Sequence, residues 1–167
     1  AEVRGKDAVT VYLELIAEAD ASDGRESIIA RSMTETDIAE FLSWPYTNVS
    51  SDGGLNGRHP RGYGSFTRVL GRHVRERGEL SLESAIRKMS SLAAENTGLS
   101  ERGEIREGYF ADLVLFDAET VLDRATPDEP NLTSVGVVGV WVNGARVYSE
   151  EGVTGNRPGR VLRRGDN

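Results

Sequence analysis

The spacing of the apolar residues changes at Gly98, and that change limits what this chain can fold into. Before it, they recur at helical intervals broken by short runs. Ala8, Val11, Tyr12, Leu15, Ile16 and Ala19 fall at i, i+3, i+4, i+7, i+8 and i+11, which predicts a helix over residues 7–19. The polar cluster Asp20–Glu26 ends it, and Ser27–Arg31 reads as a short strand. Thr34 precedes Asp37 by three residues, the spacing of a capping box, and opens a helix carrying Ile38, Phe41 and Leu42 that stops at Pro45. Tyr46–Ser50 reads as a second strand. Strand, helix, strand in this order implies parallel strands joined by a crossover helix. In such units functional groups gather at the carboxyl ends of the strands, where Asp52 stands in Ser51-Asp52-Gly53-Gly54.

The glycine-rich stretch Leu55–Gly64 is expected to be irregular. A helix follows with Phe66, Val69, Leu70, His73 and Val74 on one face, stopped by Gly78. Another starts near Ser81 and carries Leu82, Ala85, Ile86, Met89, Leu92 and Ala93 to about Gly98. Beyond Gly98 the pattern is β. Ala111–Asp117 and Val135–Val142 are compact strand-like runs, and Asn143-Gly144 is a strong hairpin signal with Arg146-Val147-Tyr148 returning. Residues 99–150 therefore predict a small antiparallel sheet, with Thr126–Pro130 as a loop inside it.

Composition narrows the chemistry. The 167 residues carry 20 Lys and Arg against 27 Asp and Glu, a net charge of −7, with 38 % hydrophobic residues. That balance excludes intrinsic disorder, and no apolar run reaches the roughly 18 residues of a membrane span. There is no cysteine, which removes disulfides and thiolate metal sites, and only His59 and His73 offer imidazole. Arg58–Lys88 is a basic block of 8 basic and 3 acidic residues. Arg68, Arg72 and Arg75 lie at i, i+4 and i+7 within it and read as a solvated helix face, with phosphate binding as the alternative. His73, on an apolar helix face, reads as a packed histidine. Gly53 and Gly54 suit either a tight turn or a close backbone approach.

The Ser51-Asp52-Gly53 motif followed by His59-Pro60-Arg61-Gly62-Tyr63-Gly64 resembles the amidohydrolase superfamily and, within it, the D-aminoacylases (N-acyl-D-amino-acid deacylases). The likeness runs on through Gly103–Val114, Val140–Gly144 and Thr154–Arg160, so nearly the whole chain takes part. The resemblance implies an α/β fold: residues 1–98 as the C-terminal strands and helices of a (β/α)8 TIM-like barrel, residues 99–167 as a small β-sandwich module with a C-terminal tail. A complete barrel needs about 200 residues or more. The chain is therefore expected to be the C-terminal part of a longer polypeptide, and its helical start at Ala1 agrees with that.

The same resemblance implies a zinc-dependent hydrolase of N-acyl-D-amino acids. A metal ion would polarise the amide and acidify a bound water, with Asp52 as the carboxylate that moves the water's proton and contacts the metal. Arg61 matches the arginine that grips the substrate's α-carboxylate. Gly53 and His59 would help shape that substrate site. The remaining zinc ligands are expected in the missing N-terminal part of the polypeptide, so this chain alone is expected neither to bind zinc tightly nor to hydrolyse substrate. A cytoplasmic location with no membrane or nucleic-acid partner is expected. Two other readings stay open: an amidohydrolase of cyclic amides, and a non-catalytic binding module using residues 58–88.

Overall fold

In the computed structural model the described residues are 1–21, 32–54 and 57–164. The chain divides into two compact units, 1–32 and 33–167. The first holds a short 3-10 turn, Glu2–Arg4, and helix α1, Ala8–Ala21, as the apolar spacing predicts. Asp7 opens α1 by accepting from the Val9 and Thr10 N–H groups at 3.1 and 3.0 Å, which satisfies donors a helix start leaves unpaired. The expected strand Ser27–Arg31 lies outside the described residues.

The second unit begins with α2, Glu35–Ser43. Its capping box is present: the Thr34 hydroxyl accepts from the Asp37 N–H and the Asp37 carboxylate accepts from the Thr34 N–H. Residues 46–50 then depart from expectation. They form no strand, and the described residues contain no parallel strand pair. A strand exists only through its neighbours' hydrogen bonds. The bonds here come instead from helices further along: the Val49 N–H donates to the Lys88 carbonyl at 3.2 Å, and Asn96 Nδ2 donates to Asn48 Oδ1 at 2.9 Å.

The glycine-rich loop also ends earlier than its composition suggests. Helix α3 runs Arg61–Arg68 with Pro60 at its cap, because the fixed φ of proline suits a helix start. Gly62 and Gly64 are helical, and at Gly64 a neighbour comes too close for a side chain. A Cβ on Gly64 would stand 2.8 Å from Asp123 Cβ. The helix continues as a π-helix, Val69–Glu76, and Gly78 ends it with φ +63°. A Cβ on Gly71 would meet the Val121 carbonyl at 2.7 Å, so this segment lies directly on the turn at 117–121.

The helix expected over 81–98 is two helices. Helix α4 spans Leu82–Met89 and α5 spans Ser91–Thr97, broken where Ser90 adopts φ −130° and ψ −90°. Gly103 packs there, close enough that a Cβ would sit 3.0 Å from the Ser90 carbonyl oxygen. The face that α4 buries is also rotated. Ala85, Lys88 and Leu92 are buried while Ile86 is exposed. Val69, Leu70, Ala85 and Val121 form the core, with Val49, Leu82, Met89 and Phe116 packed around it.

The β region follows the sequence closely. Strands β1 (Leu113–Phe116), β2 (Val137–Val142), β3 (Ala145–Ser149) and β4 (Gly152–Val153) form an antiparallel sheet in that order. Asn143 and Gly144 turn the β2–β3 hairpin with φ of +47° and +81°, as a two-residue I′ turn requires. Val142 pairs with Ala145, and Val114 with Val140. Mixed helix and sheet is thus the observed class.

Candidate functional site

Asp52 sits where the segment after Val49 turns toward α3. Its φ is +48°, the left-handed region that few side chains tolerate, aspartate among them. This turn brings the Asp52 carboxylate and the Arg61 side chain together. Arg61 Nη2 lies 3.0 Å from Asp52 Oδ2, and Arg61 Nε donates to the Asp52 carbonyl oxygen at 3.0 Å. The carboxylate remains 83 % exposed and the guanidinium 49 %. An ion pair this open adds at most about 1 kcal/mol to stability, so its interest is chemical. It presents a proton acceptor and a fork of donors on one surface.

Backbone contact explains why the pair forms. A Cβ on Gly53 would lie 2.6 Å from the Gly62 Cα, so only glycine lets the Asp52 turn rest against the first turn of α3. Of the two readings for Gly53, close approach is the one observed; Gly54 has open space around it. The His59 ring bonds within the loop, its Nδ1 accepting from the Arg61 N–H at 3.2 Å. That bond ties the ring to the first residue of α3. That start is fixed from behind: Thr67 Oγ1 and Ser134 Oγ lie 2.6 Å apart, and Ser134 Oγ donates to the Tyr63 carbonyl at 3.1 Å.

The arginines after α3's first turn are engaged within the molecule rather than standing as a free solvated face. Glu35 meets Arg68, Arg72 and Arg77 at 3.6, 3.4 and 3.0 Å. Arg68 also pairs with Asp123, and Arg75 donates to the carbonyls of Ala118 and Val121. His73 is packed, as its spacing predicts: it is 3 % exposed, with Nδ1 2.6 Å from Glu79 Oε2. That hydrogen bond holds the Glu79 carboxyl below the usual glutamate range.

Among the described residues no group of three or more His, Asp or Glu side chains could hold a metal ion. A zinc site takes three or four protein ligands, and Asp52 is a single carboxylate already facing Arg61. These residues alone do not make a zinc site. No helix among the described residues is long and apolar enough to cross a membrane.

The sequence pattern of the amidohydrolase family matches residues 26–148, which include Asp52, Arg61 and the sheet through β3. The chain belongs to that family. This amidohydrolase chain is 45 % identical, over 99 % of its length, to an N-acyl-D-aspartate deacylase of Alcaligenes xylosoxydans xylosoxydans. It is 47 % identical, over 80 % of its length, to an N-acyl-D-glutamate deacylase of the same organism. It covers 34 % of the first relative and 28 % of the second, so it spans about a third of their length. Among solved structures, D-aminoacylase superposes with a TM-score of 0.76 at 45 % identity, over 79 % of this chain and 28 % of that one. An N-acyl-D-glutamate deacylase from Bordetella bronchiseptica, bound to zinc and a phosphonate that mimics the tetrahedral intermediate, superposes with a TM-score of 0.73 at 50 % identity. It covers 78 % of this chain and 28 % of that one.

Two features of the site escape sequence reading. The Asp52–Arg61 contact spans nine residues and rests on the Gly53–Gly62 approach, which no spacing rule encodes. Lys88 carries a weak signal, a lysine three residues after Ala85 and four before Leu92, where an apolar residue is expected.

Proposed function

We propose that this chain is the part of a zinc-dependent N-acyl-D-amino-acid deacylase that supplies the proton-transfer carboxylate, Asp52, and the substrate-carboxylate grip, Arg61. In this reading residues 1–98 belong to the C-terminal part of a (β/α)8 barrel and residues 99–167 to a β-sandwich module with its tail, in a cytoplasmic enzyme. The single observation that carries it is the Asp52–Arg61 pair, held by the Gly53–Gly62 approach in a chain 45 % identical to such deacylases. The zinc of the solved relative would supply Lewis acidity. Its ligands besides Asp52 are assigned to the rest of the polypeptide, and the isolated chain is proposed to be inactive.

The geometry suits the substrate class. A guanidinium has five N–H donors. Asp52 occupies Nε and one donor of Nη2, which leaves the Nη1–Nη2 edge for a second, bidentate carboxylate. In an N-acyl amino acid the scissile nitrogen is bonded to the same carbon that bears the α-carboxylate. A substrate gripped on that open edge therefore brings its amide nitrogen close to the Asp52 carboxylate. Asp52 takes a proton from the attacking water and returns it to the departing amine. His59 acts through the shape of the loop, and Gly53 through the close approach that it alone permits.

The test is Asp52→Asn in the polypeptide that carries this chain, assayed for free D-amino acid released from N-acyl-D-amino acids. Turnover should fall by roughly 10²–10⁴-fold with the thermal midpoint retained. Parental turnover in Asp52→Asn would remove the proton-transfer role. A metal titration of the isolated chain should show no stoichiometric zinc binding at submicromolar concentration, and tight binding there would overturn the ligand assignment.

A further inference from the structure

We propose that Lys88 is a positioning residue for Asp52: from α4 it grips the backbone segment that leads into the Asp52 turn. Its side chain is nearly sealed from solvent, at 4 % exposure. Among the described residues its ammonium forms no ion pair with a carboxylate. Instead Nζ donates to the Trp44 carbonyl at 2.5 Å and to the Thr47 carbonyl at 3.1 Å, while its own carbonyl accepts from the Val49 N–H at 3.2 Å. One residue thus makes three hydrogen bonds to a six-residue stretch. Burial, and then the neighbouring Arg87 charge, push the ammonium below the usual lysine range.

Burying a charge that only neutral carbonyls compensate is a poor way to stabilise a fold, since an apolar side chain of like volume fills such a site at less cost. What a methionine cannot do is hold two backbone carbonyls at a fixed separation. The gripped segment needs that hold, because residues 46–50 have no strand partner among the described residues. Only Ser50 and Ser51 separate Val49 from Asp52, so a change in path at 44–49 passes directly to the carboxylate. The α3 backbone that carries Arg61 is anchored separately, through Tyr63, Thr67 and Ser134. Lys88 therefore governs the path of the Asp52 half of the pair and leaves the helix backbone of the Arg61 half in place.

This inference rests on the reading of Asp52 as the proton-transfer group, and it predicts a split between the kinetic constants. In the polypeptide that carries this chain, Lys88→Met and Lys88→Gln should lower kcat by roughly 10- to 100-fold, the scale of a misplacement near 1 Å. The KM should stay within about threefold, since ground-state binding is retained. The thermal midpoint of Lys88→Met should equal or exceed the parent's, and Lys88→Arg, which keeps charge and donors, should recover part of kcat. Parental kcat in folded Lys88→Met or Lys88→Gln overturns the proposal. So does a parallel fall in kcat, binding and midpoint, or failure of all three variants to fold, because Lys88 would then serve the fold alone. Asp52→Asn measured alongside separates the two claims. If it is inactive while the Lys88 variants are parental, only Lys88 has failed; if it turns over normally, the Asp52 reading has failed first.

Discussion

The two segments Tyr46–Ser50 and Ala145–Ser149 have similar strand-like patterns and opposite fates. Ala145–Ser149 becomes β3, paired on both sides, because a two-residue turn returns it directly onto β2. Tyr46–Ser50 has no such neighbour; Lys88 holds its backbone at Thr47 and Val49, and Asn96 holds the Asn48 side chain, some 40 to 48 residues further on. The difference teaches that strand composition is permission rather than instruction. The sheet is built mainly by local closure. The segment that leads into the Asp52 turn is held by distant residues, and the carboxylate at its end stays exposed.

If the sheet side of this comparison is rigid, glycine replacement should hurt it most. Gly136 has φ +78°, and a Cβ there would stand 2.5 Å from both the N and the Cα of Val121. Backbone faces backbone, so neither side can give way easily. Gly136→Ala should lower unfolding stability by about 3 kcal/mol, combining overpacking with a disfavoured φ, as denaturant titration would measure. A cost under about 1 kcal/mol would show that the joint between β2 and the 117–121 turn yields, and the contrast would weaken.

The matching replacement on the other side is Gly53→Ala. Its Cβ would stand 2.6 Å from the Gly62 Cα, but residues 51–54 are largely exposed and one edge of the contact faces solvent. The expected cost is smaller, about 1 kcal/mol, and is accompanied by loss of the Asp52–Arg61 contact. In the full polypeptide turnover should therefore fall further than stability does. Equal losses for Gly53→Ala and Gly136→Ala would make the two regions mechanically alike.

Legibility followed the same divide. Helix α1, the Thr34–Asp37 box, the Asn143-Gly144 hairpin and the packed His73 were readable because each is set by residues within a few positions of one another. The break at Ser90 was not, because it depends on Gly103 arriving from outside the helix. The helical state of Arg61–Gly64 was hidden for a similar reason: its glycines answer to Gly53 and Asp123 rather than to loop formation. At the site, Asp52, Arg61, Gly53 and His59 are legible through motif resemblance, and the structure brings all four together where the Asp52 turn meets the start of α3. The role of Lys88 is not legible beyond its place in the basic block, because a lysine on a buried stripe looks like a flaw in the pattern until the carbonyls it holds are visible.

The smallest expected effect tests the local end of the comparison. The Asp37 carboxyl is held below the usual aspartate range, first by the Thr34 N–H and then by the Thr34 hydroxyl, at 2.7 Å each. A carboxyl with a lowered folded-state pKa adds stability that is fully present above its unfolded value. That contribution fades as pH falls through the unfolded and then the folded value. Thr34→Ala removes the hydroxyl and the acceptor it offers the Asp37 N–H, and loss of such a cap costs about 1 kcal/mol near neutral pH. The backbone N–H of residue 34 remains, so Asp37 keeps part of its shift. The gap in thermal midpoint between Thr34→Ala and parent should therefore be widest at neutral pH. It should narrow in acid as Asp37 is protonated, leaving only the lost acceptor. A gap that stays constant through the carboxylate range would mean the hydroxyl contributes only as an acceptor for the Asp37 N–H, and that the carboxylate half of the box is supported by the backbone alone.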